Sequence, residues 1–264
     1  MLVNLEPFGR LGNRLFLAAH LSAFCWKHKV EFFNPALAPY DRLFPALAPF
    51  TYWQERLVWV ARSWLPGAVR FFYWGDRELN FDQERIPQLE HPLQEGKTVF
   101  FRAWLFRGYE SVSSFRERIV ERFRPHPSVV DSASNFATYA KSRGDLLVGV
   151  HLRWADYRGT KHFLSLAEYL AGMQSVCQLF KPHKVVFLVF SNEPLPHSDF
   201  SKFTAVFPNG SAIQDMTLMA QCDYLMAPPS TFSSWASFYG KVPLWSLEQG
   251  GAKPTESDFR VYRG

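Results

Sequence analysis

The chain has 264 residues, which suits one large domain or two of about 130 residues each. Its hydrophobic content of 47% is ordinary for a protein with a buried core, whereas its aromatic content of 17% is high. The formal net charge of +5 favours an anionic ligand, but Lys and Arg form no run or stripe. These features argue against nucleic acid as a partner and favour phosphate on a small molecule.

The three cysteines, Cys25, Cys177 and Cys222, have neither metal-ligand spacing nor a disulfide pattern, which is typical of a reducing cytoplasm. No stretch approaches the roughly 18 uninterrupted apolar residues of a transmembrane helix, and the N-terminus lacks the basic and apolar segments of a signal peptide. We therefore expect a cytoplasmic protein without a transmembrane segment.

The first element in chain order is a short strand, predicted over residues 1–5. A turn with Gly9 and Gly12 follows at residues 8–14, and an apolar helix is predicted over residues 15–24. Two glycines three residues apart let the backbone turn sharply, and the N-terminus of the helix offers unpaired N–H groups. The spacing completes neither a dinucleotide-binding fingerprint nor a P-loop, so by itself the turn indicates only a strand-to-helix connection.

Residues 30–97 form an irregular region in which prolines alternate with aromatic residues. Short strands are predicted over 30–33 and 71–74, and a helix over 54–65. The aromatic stretch 44–74 is a candidate surface for a carbohydrate, although an ordinary packed insertion fits the same pattern. Its possible platforms for a sugar ring are Tyr52, Trp53, Trp64 and Trp74.

The rest of the chain alternates between strand and helix patterns. Short apolar runs bounded by polar residues indicate buried parallel strands, and apolar residues at helical spacing indicate helices. The alternation predicts an α/β fold with a doubly wound parallel sheet, and a seam near residues 125–145 divides it into domains 1–140 and 141–264. The predicted strands cover 98–104, a central strand from 145, 184–190, 203–207, 223–227 and 242–245, and the predicted helices cover 113–124, 127–143, 165–180, 215–221 and 231–239.

Three strand ends in the second half carry polar side chains suited to a ligand. Because ligands of open α/β sheets collect at the carboxyl ends of the strands, we expect these side chains along one edge. They are His151, Arg153 and Asp156 after the central strand, Asn192 and Glu193 after the next strand, and Ser230, Thr231 and Ser233 after residues 223–227.

Arg153 and the segment that follows Pro229 are together typical of an anion site. A guanidinium stays charged at any working pH and presents a fork of N–H groups that matches phosphate. Ser230 and Thr231 open a helix with N-cap chemistry, and the N–H groups of a helix N-terminus attract anions. Two structural alternatives stay open at this point: ion pairs of Arg153 with nearby carboxylates, and an ordinary helix cap.

Metal-binding patterns are missing from the sequence. It contains neither an Asp-x-Asp pair nor a His/Cys cluster with ligand spacing. We therefore expect no metal site and no cofactor.

Four blocks of the sequence resemble the α1,2-fucosyltransferase family and its relatives among the α1,6- and protein O-fucosyltransferases. Residues 9–16, Gly-Arg-Leu-Gly-Asn-Arg-Leu-Phe, are similar to the family's Gly-x-Leu-Gly-Asn-Gln-x-Phe turn. Residues 148–157, Val-Gly-Val-His-Leu-Arg-Trp-Ala-Asp-Tyr, resemble its Val-x-Val-His-x-Arg-Arg-Gly-Asp-Tyr signature. Residues 190–193, Phe-Ser-Asn-Glu, are similar to Phe-Ser-Asp-Asp, and residues 215–223 with 230–235 resemble the last block.

The resemblance implies a GT-B glycosyltransferase with two Rossmann-like domains facing a cleft. Domain 1–140 would be the acceptor side, and domain 141–264 would bind the nucleotide sugar. The implied reaction is an inverting, metal-independent transfer of fucose from GDP-fucose to a hydroxyl of a glycan acceptor, in the assembly of a surface polysaccharide. GDP-fucose would be a substrate, with no separate cofactor.

The resemblance also implies roles for particular residues. Arg153 would hold the β-phosphate and stabilise the leaving GDP, His151 would shape the same pocket, and Asn13 would approach the reacting centre from the N-terminal half. Asp156 is the nearest candidate base for the acceptor proton, although a structural pairing with Arg153 or with the backbone is the alternative. The donor-binding candidates are Gly12, Asn192, Glu193, Ser230, Thr231, Phe232 and Ser233.

The sequence departs from the family pattern at Trp154, Ala155, Asn192 and Arg14, where the family has Arg, Gly, an acidic residue and Gln. The loss of one of two adjacent arginines removes a charge-assisted contact of about 1.5–3 kcal/mol. Two alternatives therefore stand beside fucosyl transfer. One is a non-catalytic nucleotide- or glycan-binding protein on a decayed transferase scaffold, and the other is a transferase with a different nucleotide-sugar donor.

Overall fold

The structure, a computed structural model, describes residues 1–4, 8–47, 69–73, 86–102, 106–250 and 253–264. The chain divides into two compact units, one of Met1–His126 with Arg263–Gly264 and the other of Pro127–Tyr262. The helix that begins at Pro127 therefore belongs to the second unit, whereas the sequence analysis places it in domain 1–140. The acceptor and donor roles of the two domains stay predictions.

The first unit is built on a parallel sheet with the strand order β2-β1-β4-β3. Leu17, Leu21 and Phe24 of its longest helix pack with Phe101 of the sheet to form the core. The strands are β1 (Leu2–Asn4), β2 (Phe32–Phe33), β3 (Val69–Tyr73) and β4 (Thr98–Arg102). The helices are α1 (Leu11–His28), α2 (Ile86–Gln94), α3 (Tyr109–Ser114) and α4 (Arg116–Arg122), with a 3-10 helix over Pro35–Leu43.

Two of the predicted helices of the first unit differ from the structure, and a third lies outside the described residues. α1 begins at Leu11 rather than at residue 15, so Gly12 and Asn13 lie in its first turn and not in a loop before it. The helix predicted over 113–124 is divided into α3 and α4 at Phe115. The helix predicted over 54–65 and the acceptor platforms Tyr52, Trp53, Trp64 and Trp74 lie outside the described residues.

α2 is not predicted from the sequence, because it lies in the stretch 30–97, where prolines alternate with aromatic residues. The buried residues Ile86, Leu89 and Leu93 nevertheless have helical spacing. Pro87 stands in the first turn, where the N–H that it lacks would have no partner within the helix. Burial of this apolar face outweighs the cost of Pro92 inside the helix.

The second unit contains a parallel sheet with the strand order β7-β6-β5-β8-β9. The chain order reverses between β5 and β8, and in doubly wound sheets a ligand binds at the carboxyl edge of that switch point. The strands are β5 (Leu146–Leu152), β6 (Val185–Ser191), β7 (Thr204–Val206), β8 (Tyr224–Ala227) and β9 (Leu244–Ser246). The helices are α5 (Pro127–Lys141), α6 (Leu166–Leu179), α7 (Ala212–Met219) and α8 (Thr231–Gly240).

Local sequence explains why the second unit follows the prediction closely. β5 and β6 are apolar and almost completely buried, as expected for central parallel strands. α6 begins with a capping box in which the Ser165 side chain accepts a hydrogen bond from the Glu168 amide. The predicted α/β class with parallel sheets is confirmed.

None of the described helices is long and apolar enough to cross a membrane.

A close approach near the end of α8 gives the first testable prediction. A Cβ atom added to Gly240 would lie 2.1 Å from the backbone oxygen of Ala220, although Gly240 itself is exposed. We expect Gly240→Ala to lower the free energy of unfolding by about 1–3 kcal/mol, because the backbone has to move apart. Chemical denaturation measures this change, and Gln174→Ala on the exposed side of α6 serves as the control. An unchanged or higher stability of the Gly240 variant would contradict the packing described here.

Candidate active site

The polar residues predicted for the site follow the carboxyl ends of β5, β6 and β8. Arg153 comes directly after β5, Asn192 directly after β6, and Ser230 is the N-cap of α8. Side-chain contacts join these loops: Arg153 reaches Ser230, and the Trp154 amide donates to Asn192 Oδ1 at 3.2 Å. The structure therefore brings together the second-unit candidates at one edge of the sheet, as the sequence predicts.

Arg153 is the central side chain of this edge. Its Nη1 donates to Ser230 Oγ at 2.6 Å, and its Nε and Nη2 donate to the two carboxylate oxygens of Asp156 at 3.1 and 2.6 Å. The guanidinium carbon lies 4.8 Å from the centre of the Tyr157 ring. Burial lowers the pKa of Arg153, but the hydrogen bonds that it donates to Asp156, together with the nearby Tyr157, outweigh burial and raise this pKa above its usual value.

The ion pair with Asp156 is the structural alternative that the sequence leaves open, and it exists. The contacts with Asp156 and Ser230 involve three of the five N–H groups of the guanidinium, so two N–H groups stay available. The side chain of Arg153 is 17% exposed, so one part of it faces solvent. Asp156 thus fixes the direction of the fork and leaves donors for an anion.

The N-terminus of α8 adds further donors beside Arg153. Ser230 Oγ accepts a hydrogen bond from the Phe232 amide at 3.3 Å, which confirms the predicted N-cap. Ser233 Oγ donates to the Ser230 carbonyl at 3.2 Å and secures the first turn. Because backbone N–H groups at a helix N-terminus carry partial positive charge, this end of α8 complements the guanidinium.

His151 is a neutral wall of the site. It is 8% exposed, and its ring lies 5.2 Å from the ring of Phe232. Burial lowers the pKa of His151 to about 3, the charge of Arg153 acts in the same direction, and Asp156 opposes both. Its buried Nδ1 has no hydrogen-bond partner among the described residues. An imidazole with this pKa is a weak proton acceptor, so it suits a shaping role better than general-base catalysis.

Trp154 explains one departure from the family pattern. Its Nε1 donates to the Leu164 carbonyl at 2.9 Å, and its ring packs against the core of the second unit. The residue that stands in place of a second arginine therefore stabilises the loop after β5. Arg153 is the cation of this loop that contacts Ser230 at the N-terminus of α8.

Glu193 is held by an ion pair. Arg158 Nη2 donates to Glu193 Oε2 at 2.5 Å, and the Glu193 amide donates to Ser191 Oγ at 3.1 Å. Together with the Trp154–Asn192 contact, these bonds link the loops that follow β5 and β6. Asn192 and Glu193 are thus positioned by their neighbours before any ligand binds.

Asp215 is a candidate that the sequence analysis does not single out. It lies in the first turn of α7, and its Oδ1 is buried without a hydrogen-bond partner among the described residues. Burial raises the pKa of Asp215 to about 7, partly opposed by the Gly210 amide. α7 follows β7, so its N-terminus lies at the carboxyl edge of the sheet. A buried carboxylate oxygen without a partner needs a donor, which a ligand could supply.

The candidates of the first unit lie at the start of α1. Gly9 has a positive φ of 71°, and a Cβ atom there would lie 2.3 Å from Asn13 Nδ2, so only glycine allows this approach. Arg14, which stands where the family has Gln, donates to the carbonyls of Gly9 and Ala36 at 3.0 and 3.1 Å. Arg14 therefore stabilises the turn, and Gly12 is buried in the helix.

The described residues contain no group of three or more His, Cys, Asp or Glu side chains that could hold a metal ion. The absence of a metal and of a cofactor from the reaction stays a prediction.

The fold and this edge define a doubly wound α/β protein with a cluster of polar side chains at the switch point of its second sheet. The model of glycosyl transferase family 11 matches residues 101–241, which is more than half of the chain. The chain therefore belongs to glycosyl transferase family 11, and the protein is a glycosyltransferase. The resemblance to fucosyltransferases noted in the sequence is confirmed at the level of this family.

Solved structures support the same fold. An Arabidopsis thaliana FUT1 mutant in complex with GDP matches with a TM-score of 0.64 and 13% identity, over 98% of this chain and 73% of that chain. The fucosyltransferase NodZ from Bradyrhizobium matches with a TM-score of 0.62 and 18% identity, over 95% and 96%. POFUT1 in complex with GDP matches with a TM-score of 0.56 and 16% identity, over 94% and 98%. The GT-B type of fold is thereby confirmed. A search of curated proteins gave no match.

The low pKa of His151 predicts a pH dependence of stability. An unfolded histidine takes up a proton below a pKa of about 6.5, whereas native His151 stays neutral down to about pH 3. The contribution of neutral His151 to the free energy of unfolding is therefore fully present above pH 6.5. It is lost as the pH falls, and the loss is about 2 kcal/mol at pH 5. Denaturant titrations at pH 7 and pH 5 should show a smaller loss for His151→Gln than for the wild type. His183→Gln, at an exposed position, is the control. If His151→Gln and the wild type lost the same free energy of unfolding between pH 7 and pH 5, the lowered pKa of His151 would be refuted.

Proposed function

We propose that this glycosyltransferase moves fucose from GDP-fucose to a hydroxyl of a glycan acceptor, with inversion at the anomeric carbon and without a metal ion. The observation that carries the proposal is the Arg153 guanidinium, held by Asp156 and Ser230 at the carboxyl end of the central strand β5. Such a fork, next to a helix N-terminus, is suited to a diphosphate. Similar proteins were solved with the nucleotide: the Arabidopsis FUT1 mutant, NodZ and POFUT1 with GDP, and POFUT1 with GDP-fucose.

In the proposed mechanism, the acceptor hydroxyl attacks the anomeric carbon of fucose from the face opposite to the diphosphate. A new carbon–oxygen bond forms while the bond to the β-phosphate oxygen breaks, and the transition state resembles an oxocarbenium ion. Negative charge grows on the departing GDP. Arg153 and the N-terminus of α8 stabilise that charge because they are already oriented before the reaction starts.

The acceptor hydroxyl loses its proton as the new carbon–oxygen bond forms, and the departing diphosphate is proposed to take up this proton, because neither Asp156 nor His151 is a suitable base. Both carboxylate oxygens of Asp156 accept hydrogen bonds from Arg153, which makes Asp156 a positioning residue for the guanidinium rather than the base. His151, with a pKa near 3, is a poor base as well. Asn13, at the start of α1, is proposed to approach the reacting centre, and Gly12 is proposed to bind the donor.

The base of the nucleotide is proposed to bind near the loops after β6 and β7. Asn192 and Glu193 are proposed to face the guanosine, and Thr231, Phe232 and Ser233 to flank the phosphates. Asp215 has a buried oxygen without a partner among the described residues. Guanine presents two neighbouring N–H donors to a carboxylate, which adenine and uracil do not, so Asp215 is a candidate for base selection.

The role of Arg153 is tested by a substitution that keeps its charge. Arg153→Lys retains a cation but loses the planar fork, so it can no longer bind Asp156, Ser230 and a phosphate together. We expect GDP to bind about 10- to 100-fold more weakly and GDP release from GDP-fucose to slow by at least as much. Calorimetry and a GDP-release assay with a panel of glycan acceptors measure both effects. The control is Arg143→Lys, after α5. Near-normal turnover of Arg153→Lys would remove this residue from the mechanism.

The identity of the donor is tested by thermal shifts with GDP, UDP, ADP and their sugars. GDP and GDP-fucose should raise the melting temperature most, since ligands that bind only the native state stabilise it. The Asp215→Asn variant should lose much of its preference for GDP over ADP. Stabilisation by UDP or ADP forms but not by GDP forms would assign another donor and contradict the proposal.

A further inference from the structure

Two adjacent cavities lie beside the edge strand β2, entirely within the first unit. Their volumes are about 410 and about 200 Å³. The larger one is in the range of about 300–1,000 Å³ that is usual for small-molecule sites. Four residues line both cavities: Ser22, Phe32, Phe33 and Arg122. None of them is among the residues proposed for the donor.

Two polar side chains on these walls each have one buried atom without a hydrogen-bond partner among the described residues. Ser22 is 1% exposed, and its Oγ has no hydrogen-bond partner among the described residues. Asn34 lines the smaller cavity; its Oδ1 accepts a hydrogen bond from Asn4 Nδ2 at 2.9 Å, while its buried Nδ2 lacks a partner within the described part of the chain. A buried polar atom without a partner lowers stability, so a ligand that forms hydrogen bonds with Ser22 Oγ and Asn34 Nδ2 would bind favourably.

Arg122 adds a positive charge to the same walls. It is half-buried, and burial together with the like charge of Arg118 lowers the pKa of its guanidinium. Across the described ranges, no ion pair joins Arg122 to a carboxylate, although Glu31 lines the larger cavity and Asp41 the smaller one. A partly desolvated cation next to another cation favours an anionic ligand.

The apolar walls indicate what kind of anion fits. Phe32 and Phe33 line both cavities, and Trp26 lines the larger one, where Arg118 stacks on its ring at 4.2 Å. Aromatic rings provide flat apolar surface for the faces of a sugar, while an arginine fork matches a carboxylate or phosphate.

We propose that these cavities are a binding site for an acidic sugar, a pyranose ring that carries a carboxylate or a phosphate. Its anionic group binds Arg122 with the Ser22 hydroxyl and the Asn34 amide, and its ring packs against Phe32, Phe33 and Trp26. The site gives the enzyme a second contact with an acidic glycan, in addition to the transfer site. The proposal does not rest on the donor assignment, because the site consists of first-unit residues and its test measures binding of a sugar.

The test measures binding of D-glucuronate, glucose 6-phosphate, D-glucose and inorganic phosphate to the whole protein by ligand-observed NMR. We expect at least one of the two acidic sugars to bind about tenfold more tightly than glucose and inorganic phosphate, and the preferred one identifies the anionic group. Equal binding of glucose, or no binding of either acidic sugar, would overturn the proposal.

Matched variants separate the site from general charge attraction. Arg122→Gln should weaken binding of the acidic sugar about tenfold, whereas Arg124→Gln, which has the same charge change at an exposed residue paired with Glu121, should not. Ser22→Ala should also weaken binding without lowering the melting temperature, because it removes a buried hydroxyl that lacks a partner in the described structure. Equal binding by the wild type and Arg122→Gln would refute the site, and an unchanged melting temperature of that variant verifies that it is folded.

Discussion

The contact of Arg153 with Asp156 and Ser230 is the interaction on which the candidate active site depends. It joins the loop after β5 to the N-terminus of α8, the two elements on either side of the switch point in the second sheet. The parallel order of the strands places both ends at one edge, and the ion pair then fixes the direction of the guanidinium. The site is therefore preorganised: the free energy for orienting its main cation is supplied by folding and not by the ligand.

This preorganisation also explains how the chain tolerates Trp154 where its family has a second arginine. The Trp154 indole packs against the core and donates to the Leu164 carbonyl. These contacts hold the loop in place although it lacks the second arginine of the family pattern. Arg158 of the same loop is paired with Glu193, so Arg153 and the partial charges at the N-terminus of α8 provide the positive charge beside Ser230. In the proposed mechanism, stabilisation of the leaving diphosphate would then depend more strongly on Arg153 than it would with two adjacent arginines.

The sequence predicts the second unit well because its signals are local. Buried strands, helical spacing and N-caps such as Ser230 are determined by neighbouring residues, and parallel pairing then brings the strand ends together. The first unit is harder to predict, because Pro87 and Pro92 are atypical of a helix and make the apolar spacing of α2 difficult to recognise. Asp215 opens the block 215–223 that resembles the family, but the sequence does not show that its Oδ1 is buried without a partner among the described residues, because such burial is a property of tertiary packing.

The most direct test of this account is a crystal structure of the protein with GDP. The account predicts that Arg153 donates to a β-phosphate oxygen at about 2.7–2.9 Å while it stays paired with Asp156. A structure in which GDP binds elsewhere, or in which the guanidinium remains on Asp156 and Ser230 without reaching the diphosphate, would contradict it.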